Sequence, residues 1–192
     1  MHHYLPYLRG RVLNAGCGDR DISGFIDGLV INLDLPGGLH NANVDIFAAL
    51  DRLPVLDGCL DAVFCNAVLE HVDDPRACVR EFHRVLKDGG YLYLGVPFMQ
   101  PEHLDPTDFQ RYSKQGLSKL VADAGFTVET LEAVHSVYHT LGGFVEKWLS
   151  SRKTLSYLLL RMTLFPILRY KTKHSHRCVD SVASAYRVLA RK

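Results

Sequence analysis

The sequence lacks the cysteine pattern of a disulfide-stapled or zinc-binding protein. Its 192 residues include only five cysteines, at positions 17, 59, 65, 78 and 178, and no two of them form a CxxC pair. An odd and scattered set argues against a disulfide framework and favours a reducing compartment. No apolar leader followed by a cleavage site begins the sequence, so we predict a cytoplasmic protein.

Long hydrophobic runs are also missing. The longest apolar stretch, Tyr157 to Leu168, is interrupted by Arg161, Thr163 and Pro166 and is too short to span a bilayer. Hydrophobic residues make up 47% of the chain and charged residues 22%, which is ordinary for a globular protein and argues against disorder. We therefore expect residues 1–192 to form a single domain.

The C-terminal quarter has almost no acidic residues. From Lys147 to Lys192 there are 11 lysines and arginines and a single acid, Asp180, which leaves 11 basic and 20 acidic residues before it. This polarity favours an anionic partner for the C-terminal part. A nucleic acid is not predicted, because no alternation of aromatic and basic residues and no known binding motif accompanies the charge.

Short apolar segments alternate with helical patterns from residue 11 onward. The predicted strands are residues 11–15, 29–34, 44–46, 60–65, 91–96, 126–131 and 185–190, and the clearest helices are residues 75–87 and 114–124. This alternation predicts an α/β fold with a doubly wound, Rossmann-like and mostly parallel sheet. Residues 135–180 carry helical spacing and basic charge, and they predict a helical insertion, or cap, before the last strand.

A glycine-rich turn follows the first predicted strand. The segment Asn14–Gly18 lies where an open α/β sheet binds ligands, and its glycines allow a close approach of the backbone. A purely structural strand-to-helix turn is the alternative interpretation. Asp21 stands where a third glycine would complete GxGxxG, and a carboxylate there is unfavourable beside a pyrophosphate.

Two acidic residues follow the next two predicted strands. Asp34 closes the second strand, where a carboxylate can accept both hydroxyls of a ribose; the alternative is a turn former ahead of Pro36. Asp45 is predicted to end the third strand, where it could accept a hydrogen bond from an adenine amino group. A solvated helix cap fits the type of residue at position 45 equally well.

Four stretches together resemble the class I S-adenosylmethionine-dependent methyltransferases of the type-11 group. They are Val12–Gly18, Leu60–Phe64, Leu69–Val72 and Arg84–Gly90, in the order and at the spacing of that family. The resemblance covers Arg11 to about Leu131, and residues 185–192 are similar to the last strand of that group. It implies the seven-stranded sheet of these enzymes and S-adenosylmethionine as the cofactor.

The resemblance also implies a role for individual residues. Asn14, Ala15, Gly16, Cys17 and Gly18 would wrap the methionine part of the cofactor. Asp34, followed by Leu35, would hold the ribose, and Asp45 with the amide of Ile46 would bind the adenine. Asn66 and Ala67, after the fourth strand, would flank the sulfonium.

Three departures from the family pattern affect these expectations. Asn14 stands where the family usually has an acid, which weakens one contact to the amino group of the cofactor. Ala67 replaces the first acid of the Glu-x-x-Glu-His motif with which some relatives bind a metal, leaving only Glu70 and His71, so we predict no metal. Few residues precede the first strand, so we expect residues 135–180 to cover the substrate instead of an N-terminal lid.

The candidate catalytic bases are His71 and His103, which the family pattern places near the cleft. The alternative for each is a hydrogen-bonded structural histidine. The run His103–Tyr112 resembles a loop that faces the substrate in a subset of the group. Within it, Asp105, Arg111 and Tyr112 are predicted to bind an anionic or sugar-like substrate, or else to brace the loop.

Together these features predict an S-adenosylmethionine-dependent methyltransferase that acts on a small-molecule, sugar or lipid-linked acceptor. A binding module that holds the cofactor without catalysis is one alternative, and a nicotinamide-dependent oxidoreductase is another, disfavoured by Asp21. The insertion itself has two interpretations. It is either a solvated helical cap, or residues 144–171 make a peripheral contact with a membrane that carries the substrate.

Overall fold

The centre of the protein is a seven-stranded sheet. The computed structural model describes residues 2–37, 43–104, 107–151, 154–175 and 178–192. The strands are β1 (Arg9–Ala15), β2 (Asp27–Asp34), β3 (Ile46–Phe47), β4 (Leu60–Asn66), β5 (Leu86–Pro97), β6 (Thr127–Val134) and β7 (Ala185–Arg191). Their order in the sheet is β3-β2-β1-β4-β5-β7-β6, and only β7 runs antiparallel to its neighbours. The predicted α/β, mostly parallel, Rossmann-like sheet is confirmed.

Two capped helices cover one face of this sheet. They are α1 (Pro75–Val85) and α2 (Lys114–Asp123). The side chain of Asp74 accepts a hydrogen bond from the amide of Ala77, and that of Ser113 accepts one from Gly116, so both helices begin where the sequence predicts. Their apolar stripes join the larger core cluster, in which Phe82 and Leu117 are fully buried.

The opposite face is covered mainly by the N-terminal segment. A 3-10 helix, His2–Tyr7, places Tyr4 edge-on against Tyr93, which in turn stacks on Phe64 at 5.0 Å. Only residues 16–26 connect β1 to β2, and they form a 3-10 turn, Ser23–Phe25, because so short a crossover leaves little room for a helix. No sequence signal predicted this N-terminal packing.

The predicted helix 75–87 is two residues too long. The structure ends α1 at Val85 and begins β5 at Leu86. The carbonyl oxygens of Arg84 and Val85 accept hydrogen bonds from the amides of Gly58 and Cys59. Because the donors belong to the loop before β4 and not to the next turn of the helix, α1 ends two residues earlier than the local sequence predicts.

The predicted bounds of the third strand, residues 44–46, are also wrong. β3 is Ile46–Phe47, so Asp45 precedes the strand instead of ending it. The carboxylate of Asp45 accepts a hydrogen bond of 2.8 Å from the amide of Asn32. This side-chain bond occupies an amide of β2 that could otherwise bond to the backbone of the neighbouring strand. The backbone pairing of β3 with β2 therefore begins at Ile46.

The described part of the segment between β6 and β7 is mainly helical, in agreement with the helical insertion predicted for residues 135–180. It contains α3 (Val137–Ser150) and α4 (Leu155–His174), which pack against each other, and a short 3-10 turn, Asp180–Val182. None of the helices that the structure describes combines the length and the apolar character needed to cross a bilayer.

Candidate active site

The candidate site lies at the carboxyl ends of β1 and β4, where the order of the parallel strands reverses direction. Ligands of open α/β sheets bind at such a switch point. The segment Asn14–Gly18 leaves β1 on one side of it, and Asn66 ends β4 on the other. Arg20 bridges the two, because its Nη1 donates a 2.9 Å hydrogen bond to the carbonyl oxygen of Asn66.

The glycine turn is tied to β2 and pressed against the segment after β4. The amides of Gly16 and Cys17 both donate to the carbonyl oxygen of Leu33. Gly16 has φ +68°, and a Cβ there would lie 2.6 Å from both methyl groups of Val68, so only glycine fits. Gly18 has φ +51°, but no atom of the described residues lies within 4 Å of its Cβ position.

The carboxylate of Asp34 is held beside this turn. Its Oδ2 accepts a 2.6 Å hydrogen bond from the amide of Gly18, and its Oδ1 accepts a 2.7 Å hydrogen bond from the amide of Leu35. Burial, together with the nearby charges of Asp34 and Asp45, raises the pKa of the Cys17 thiol to about 11. The two predicted acids therefore lie close to the turn, and Cys17 stays a neutral thiol.

Asn14 offers a buried acceptor that has no partner. Its amide nitrogen donates to the carbonyl oxygen of Arg20 and to Oδ1 of Asn32, both at 2.9 Å. Its own Oδ1 is buried and accepts no hydrogen bond from the residues that the structure describes. Because an unsatisfied buried acceptor is costly, a ligand N–H group near Asn14 would stabilise this site.

The end of β4 is strained and closely packed. Ala67 has φ +56°, a region that non-glycine residues rarely adopt, and its amide donates to the carbonyl oxygen of Gly95. A Cβ on Gly95 would lie 2.1 Å from Oδ1 of Asn66. The side chain of Asn66 is therefore placed over the neighbouring strand by the absence of a side chain on Gly95.

A buried carboxylate and two histidines lie next to this strand end. Glu70 is fully buried, and neither of its carboxyl oxygens has a hydrogen-bond partner among the described residues. The Nε2 atoms of His71 and His103 both lie 3.8 Å from Oε1 of Glu70, and the two imidazole rings meet edge-on. Burial raises the pKa of Glu70, although the neighbouring cationic groups oppose this shift.

The tautomer of His71 follows from its partner. Its Nδ1 forms a short hydrogen bond with the carbonyl oxygen of Thr107, whose hydroxyl donates back to the carbonyl oxygen of His71. Since a carbonyl oxygen can only accept, Nδ1 carries the hydrogen, and in the neutral ring Nε2 holds the lone pair. His71 is nearly buried, whereas the side chain of His103 is 42% exposed and lines a cavity of about 320 Å³.

The same three residues bear on the prediction that the site holds no metal. That prediction depended on Ala67, which removes one ligand of the family motif. Within the described part of the chain, His103 joins Glu70 and His71, and their candidate ligand atoms all lie within 4.8 Å of one another. The sequence could not reveal this grouping, because His103 is far from His71 along the chain. The absence of a metal therefore stays a prediction.

Arg111 and Tyr112 brace the loop that carries them, and their contact with a substrate stays a prediction. All five N–H groups of Arg111 donate to protein acceptors: the carboxylate of Asp108 and the carbonyl oxygens of residues 100, 101 and 110. Tyr112 is buried, and its hydroxyl donates to the carbonyl oxygen of Leu69. Both side chains are therefore occupied in holding the loop. Asp105 lies outside the described residues.

Two residues of the site were missed by the sequence argument. Arg20 was not singled out, because its contact with Asn66 depends on two strands that lie side by side only in the folded sheet. Gly95 did carry a usable signal, since an isolated glycine within an apolar strand often marks a close approach of another group.

Comparison with known proteins agrees with this geometry. Residues 13–94 match a family model described as "Methyltransferase domain". The chain is 31% identical to a "Probable S-adenosylmethionine-dependent methyltransferase" of Mycolicibacterium smegmatis, over 65% of this chain and 55% of the relative. It is 35% identical to a "Ubiquinone biosynthesis O-methyltransferase" of Xanthomonas oryzae pv. oryzae, over 48% of this chain and 45% of the relative.

The fold itself has close counterparts among solved structures. The crystal structure of the [4+2]-cyclase SpnF superimposes with a TM-score of 0.66 at 20% identity, covering 96% of this chain and 76% of that one. The chain spans from about a third to about half of the length of the curated relatives it matches. Residues 13–94 are thus similar to methyltransferase domains, and the order of the strands agrees with that similarity. S-adenosylmethionine is the cofactor that these similarities imply.

Proposed function

We propose that this chain transfers a methyl group from S-adenosylmethionine to a hydroxyl of a small-molecule, sugar or lipid-linked acceptor. One observation carries the proposal. The glycine turn, which is hydrogen-bonded to Asp34, lies next to the cluster of Glu70, His71 and His103 at the switch point of the sheet. The two are neighbours because Val68, which comes shortly before Glu70 in the sequence, packs against Gly16. A site for the donor and a candidate base for the acceptor are thus neighbours.

The residues around the turn fit the cofactor. The carboxylate of Asp34 is oriented by two backbone amides, yet each of its oxygens retains a lone pair for a ribose hydroxyl. The unpartnered Oδ1 of Asn14 would accept a hydrogen bond from the amino group of the methionine part. We add Arg20 to the predicted set, because its cationic side chain lies by Asn66 and would attract a carboxylate.

The remaining predicted contacts lie beside the carboxyl ends of β2 and β4. Asp45 and the amide of Ile46 lie next to β2 and would bind the adenine, whereas Asn66 and Ala67 would flank the sulfonium. When bound, the cofactor supplies a methyl carbon activated by a positively charged sulfur. What the protein must add is alignment of the acceptor and exclusion of water.

A hydroxyl acceptor also needs somewhere to place its proton. His103 is the better candidate base, because it is half-exposed at the cavity wall, while His71 is nearly buried. Asp108 orients His103: it accepts a hydrogen bond from the backbone amide and lies 3.6 Å from Nδ1. Glu70 and His71 act as positioning residues behind it. The name of the Xanthomonas oryzae relative, an O-methyltransferase, agrees with oxygen as the methylated atom.

Two assays separate this function from its alternatives. Calorimetry with S-adenosylmethionine, S-adenosylhomocysteine and NAD distinguishes a methyltransferase from a nicotinamide enzyme. Transfer of a radiolabelled methyl group to candidate acceptors distinguishes an enzyme from a module that only binds. The second assay is needed because the same fold also occurs in a protein named as a cyclase, so the fold by itself does not imply methyl transfer. Cofactor binding without methyl transfer to any hydroxyl acceptor would contradict the proposal.

A further inference from the structure

The helical hairpin, residues 137–175, presents an unusually apolar surface to solvent. No described side chain of α4 is buried. Large hydrophobic side chains are exposed along both helices of the hairpin: Leu141, Phe144, Trp148, Leu155, Leu158, Leu159, Leu160, Met162, Ile167 and Tyr170. Leu155, Leu158, Leu159 and Met162 follow one another at helical spacing and therefore share one side of α4. An exposed apolar stripe of this kind normally marks an interaction site.

Among the described residues, α3 makes the hydrogen bonds and buried contacts that fasten the hairpin to the rest of the protein. The hydroxyl of Thr140 donates to the carbonyl oxygen of Val182, Leu149 is buried, and Nζ of Lys147 donates to the carbonyl oxygen of Glu102. α4 packs chiefly against α3. Its outer surface therefore lacks a protein partner within the described residues.

The charge of the hairpin has one dominant sign. Residues 137–175 contain seven lysines and arginines and a single acid, Glu146. Three of the basic residues, Arg169, Lys171 and Lys173, lie together at the end of α4, and none of them forms an ion pair within the described part of the chain. The exposed apolar residues of α4 are thus followed by a cluster of basic residues at its C-terminal end.

We propose that the hairpin docks on an anionic lipid surface. Apolar side chains beside unpaired basic groups are the combination that an interface of acyl chains and anionic headgroups satisfies. Residues 1–146 carry 20 acids against 11 basic residues, so the field of an anionic membrane would orient the hairpin, and not the sheet, towards it. A second copy is less suitable, because a symmetric contact would bring two basic clusters together.

Docking would also place the candidate site at the membrane. The cavity of about 320 Å³ beside His103 is walled on its other side by Gly143, Glu146, Lys147 and Ser150 of α3. An acceptor anchored in the bilayer could enter it along the hairpin. This step rests on the proposed methyl transfer and narrows its acceptor to a lipid-linked molecule, whereas the docking itself does not depend on that function.

Trp148 gives a direct readout, because it is the only tryptophan of the chain and lies half-exposed on α3. Its fluorescence should shift to the blue when the full chain is mixed with vesicles containing phosphatidylglycerol. Vesicles of phosphatidylcholine alone should give a much weaker shift. High salt should weaken the binding to anionic vesicles, because it screens the basic cluster.

Matched variants test which side chains are responsible. The double variant Leu155→Ser/Met162→Ser should lower the vesicle partition coefficient at least about tenfold, whereas Leu56→Ser, which removes an equally exposed leucine outside the hairpin, should not change it. Lys171→Gln/Lys173→Gln should lower the partition coefficient about 25-fold, at about fivefold for each charge. Arg80→Gln, an exposed arginine on α1, serves as its control.

Several outcomes would overturn the proposal. They are the absence of any shift with anionic vesicles, equal binding to both kinds of vesicle, and a dimer in sedimentation that Leu155→Ser/Met162→Ser dissociates while vesicles do not bind. Calorimetry with S-adenosylhomocysteine on the same preparation separates the two proposals. Cofactor binding without vesicle binding removes only the docking, and vesicle binding without cofactor binding removes only the proposed function.

Discussion

The amide of Gly18 donates a 2.6 Å hydrogen bond to Oδ2 of Asp34. This bond joins the turn after β1 to the end of β2, and the amide of Leu35 holds the second oxygen of the same carboxylate. The acid is therefore oriented before any ligand arrives, which lowers the entropic cost of binding a diol. Substitutions at Gly18 and Asp34 should therefore affect cofactor binding directly.

Gly18→Ala should weaken cofactor binding more than it weakens folding. The added methyl group meets no atom within 4 Å in the part of the chain that the structure describes, so its folding cost there comes from the positive φ, about 1 kcal/mol. The same methyl group would project into the space beside Asp34 that we assign to the cofactor. The measurement is the Kd for S-adenosylhomocysteine together with thermal unfolding.

Gly58→Ala is the matched control for that variant. Gly58 has nearly the same φ, +58°, and the nearest described atom lies 4.0 Å from its Cβ position, but it is in the loop before β4. We expect a similar loss of stability and an unchanged Kd. Equal Kd values for the two variants would contradict the assignment of the space beside Gly18.

Gly95→Ala should disturb the end of β4. The new Cβ would fall 2.1 Å from Oδ1 of Asn66, so the Asn66 side chain must leave its position. We expect a loss of about 1–3 kcal/mol in the free energy of unfolding and weaker cofactor binding. Gly142→Ala on α3 has open space around its Cβ position and should instead gain up to about 1 kcal/mol. Unchanged stability and binding in Gly95→Ala would show that Asn66 is free to move.

His103→Gln should lower kcat for a hydroxyl acceptor by about 10²- to 10⁴-fold, the usual contribution of a general base. The Kd of the cofactor should stay the same, because the cavity that His103 lines contains none of the residues that we assign to the cofactor. Steady-state kinetics and calorimetry measure the two quantities. Chelation with EDTA should leave the wild-type rate unchanged; a loss of activity that added divalent metal restores would show instead that Glu70, His71 and His103 hold an ion.

Glu70→Gln should make the protein more stable at alkaline pH. Burial raises the pKa of Glu70, so the folded state binds this proton more tightly than the unfolded chain does. The stability that this proton provides is present below the ordinary pKa of the carboxyl group and is lost as pH rises through the raised folded value. Glu70→Gln has no carboxyl group to ionise, so it does not lose stability in this way. Denaturant unfolding at several pH values should show that the free energy of unfolding of the variant, relative to that of the wild type, increases with pH. A constant difference would contradict the assigned direction.

The features that the sequence predicted best are those that depend on residues close to one another along the chain. The glycine turn, the caps at Asp74 and Ser113, and the strand preceding Asp34 all follow from local patterns, and the structure agrees with them. Asp45 was displaced from its predicted place because its side chain bonds to another strand, a contact without a local signature.

Long-range contacts explain the rest of the differences. Arg111 and Tyr112 are polar residues on a loop that the family resemblance assigns to the substrate, so a substrate role was a natural expectation. In the folded chain their donors are used by Asp108, Leu69 and nearby carbonyl groups. The approach of His103 to Glu70 and the bridge from Arg20 to Asn66 likewise exist only once β4 and the loop after β5 are in place.

The most direct test of the account is the affinity of the purified chain for S-adenosylhomocysteine, measured by calorimetry with and without Asp34→Ala. We predict one-to-one binding by the wild type and a Kd at least about 100-fold higher in the variant, because two charge-assisted hydrogen bonds are lost. Asp27→Ala, at the exposed opposite end of the same strand, should bind like the wild type. No binding by the wild type at millimolar concentrations, or an unchanged Kd in Asp34→Ala, would contradict the account.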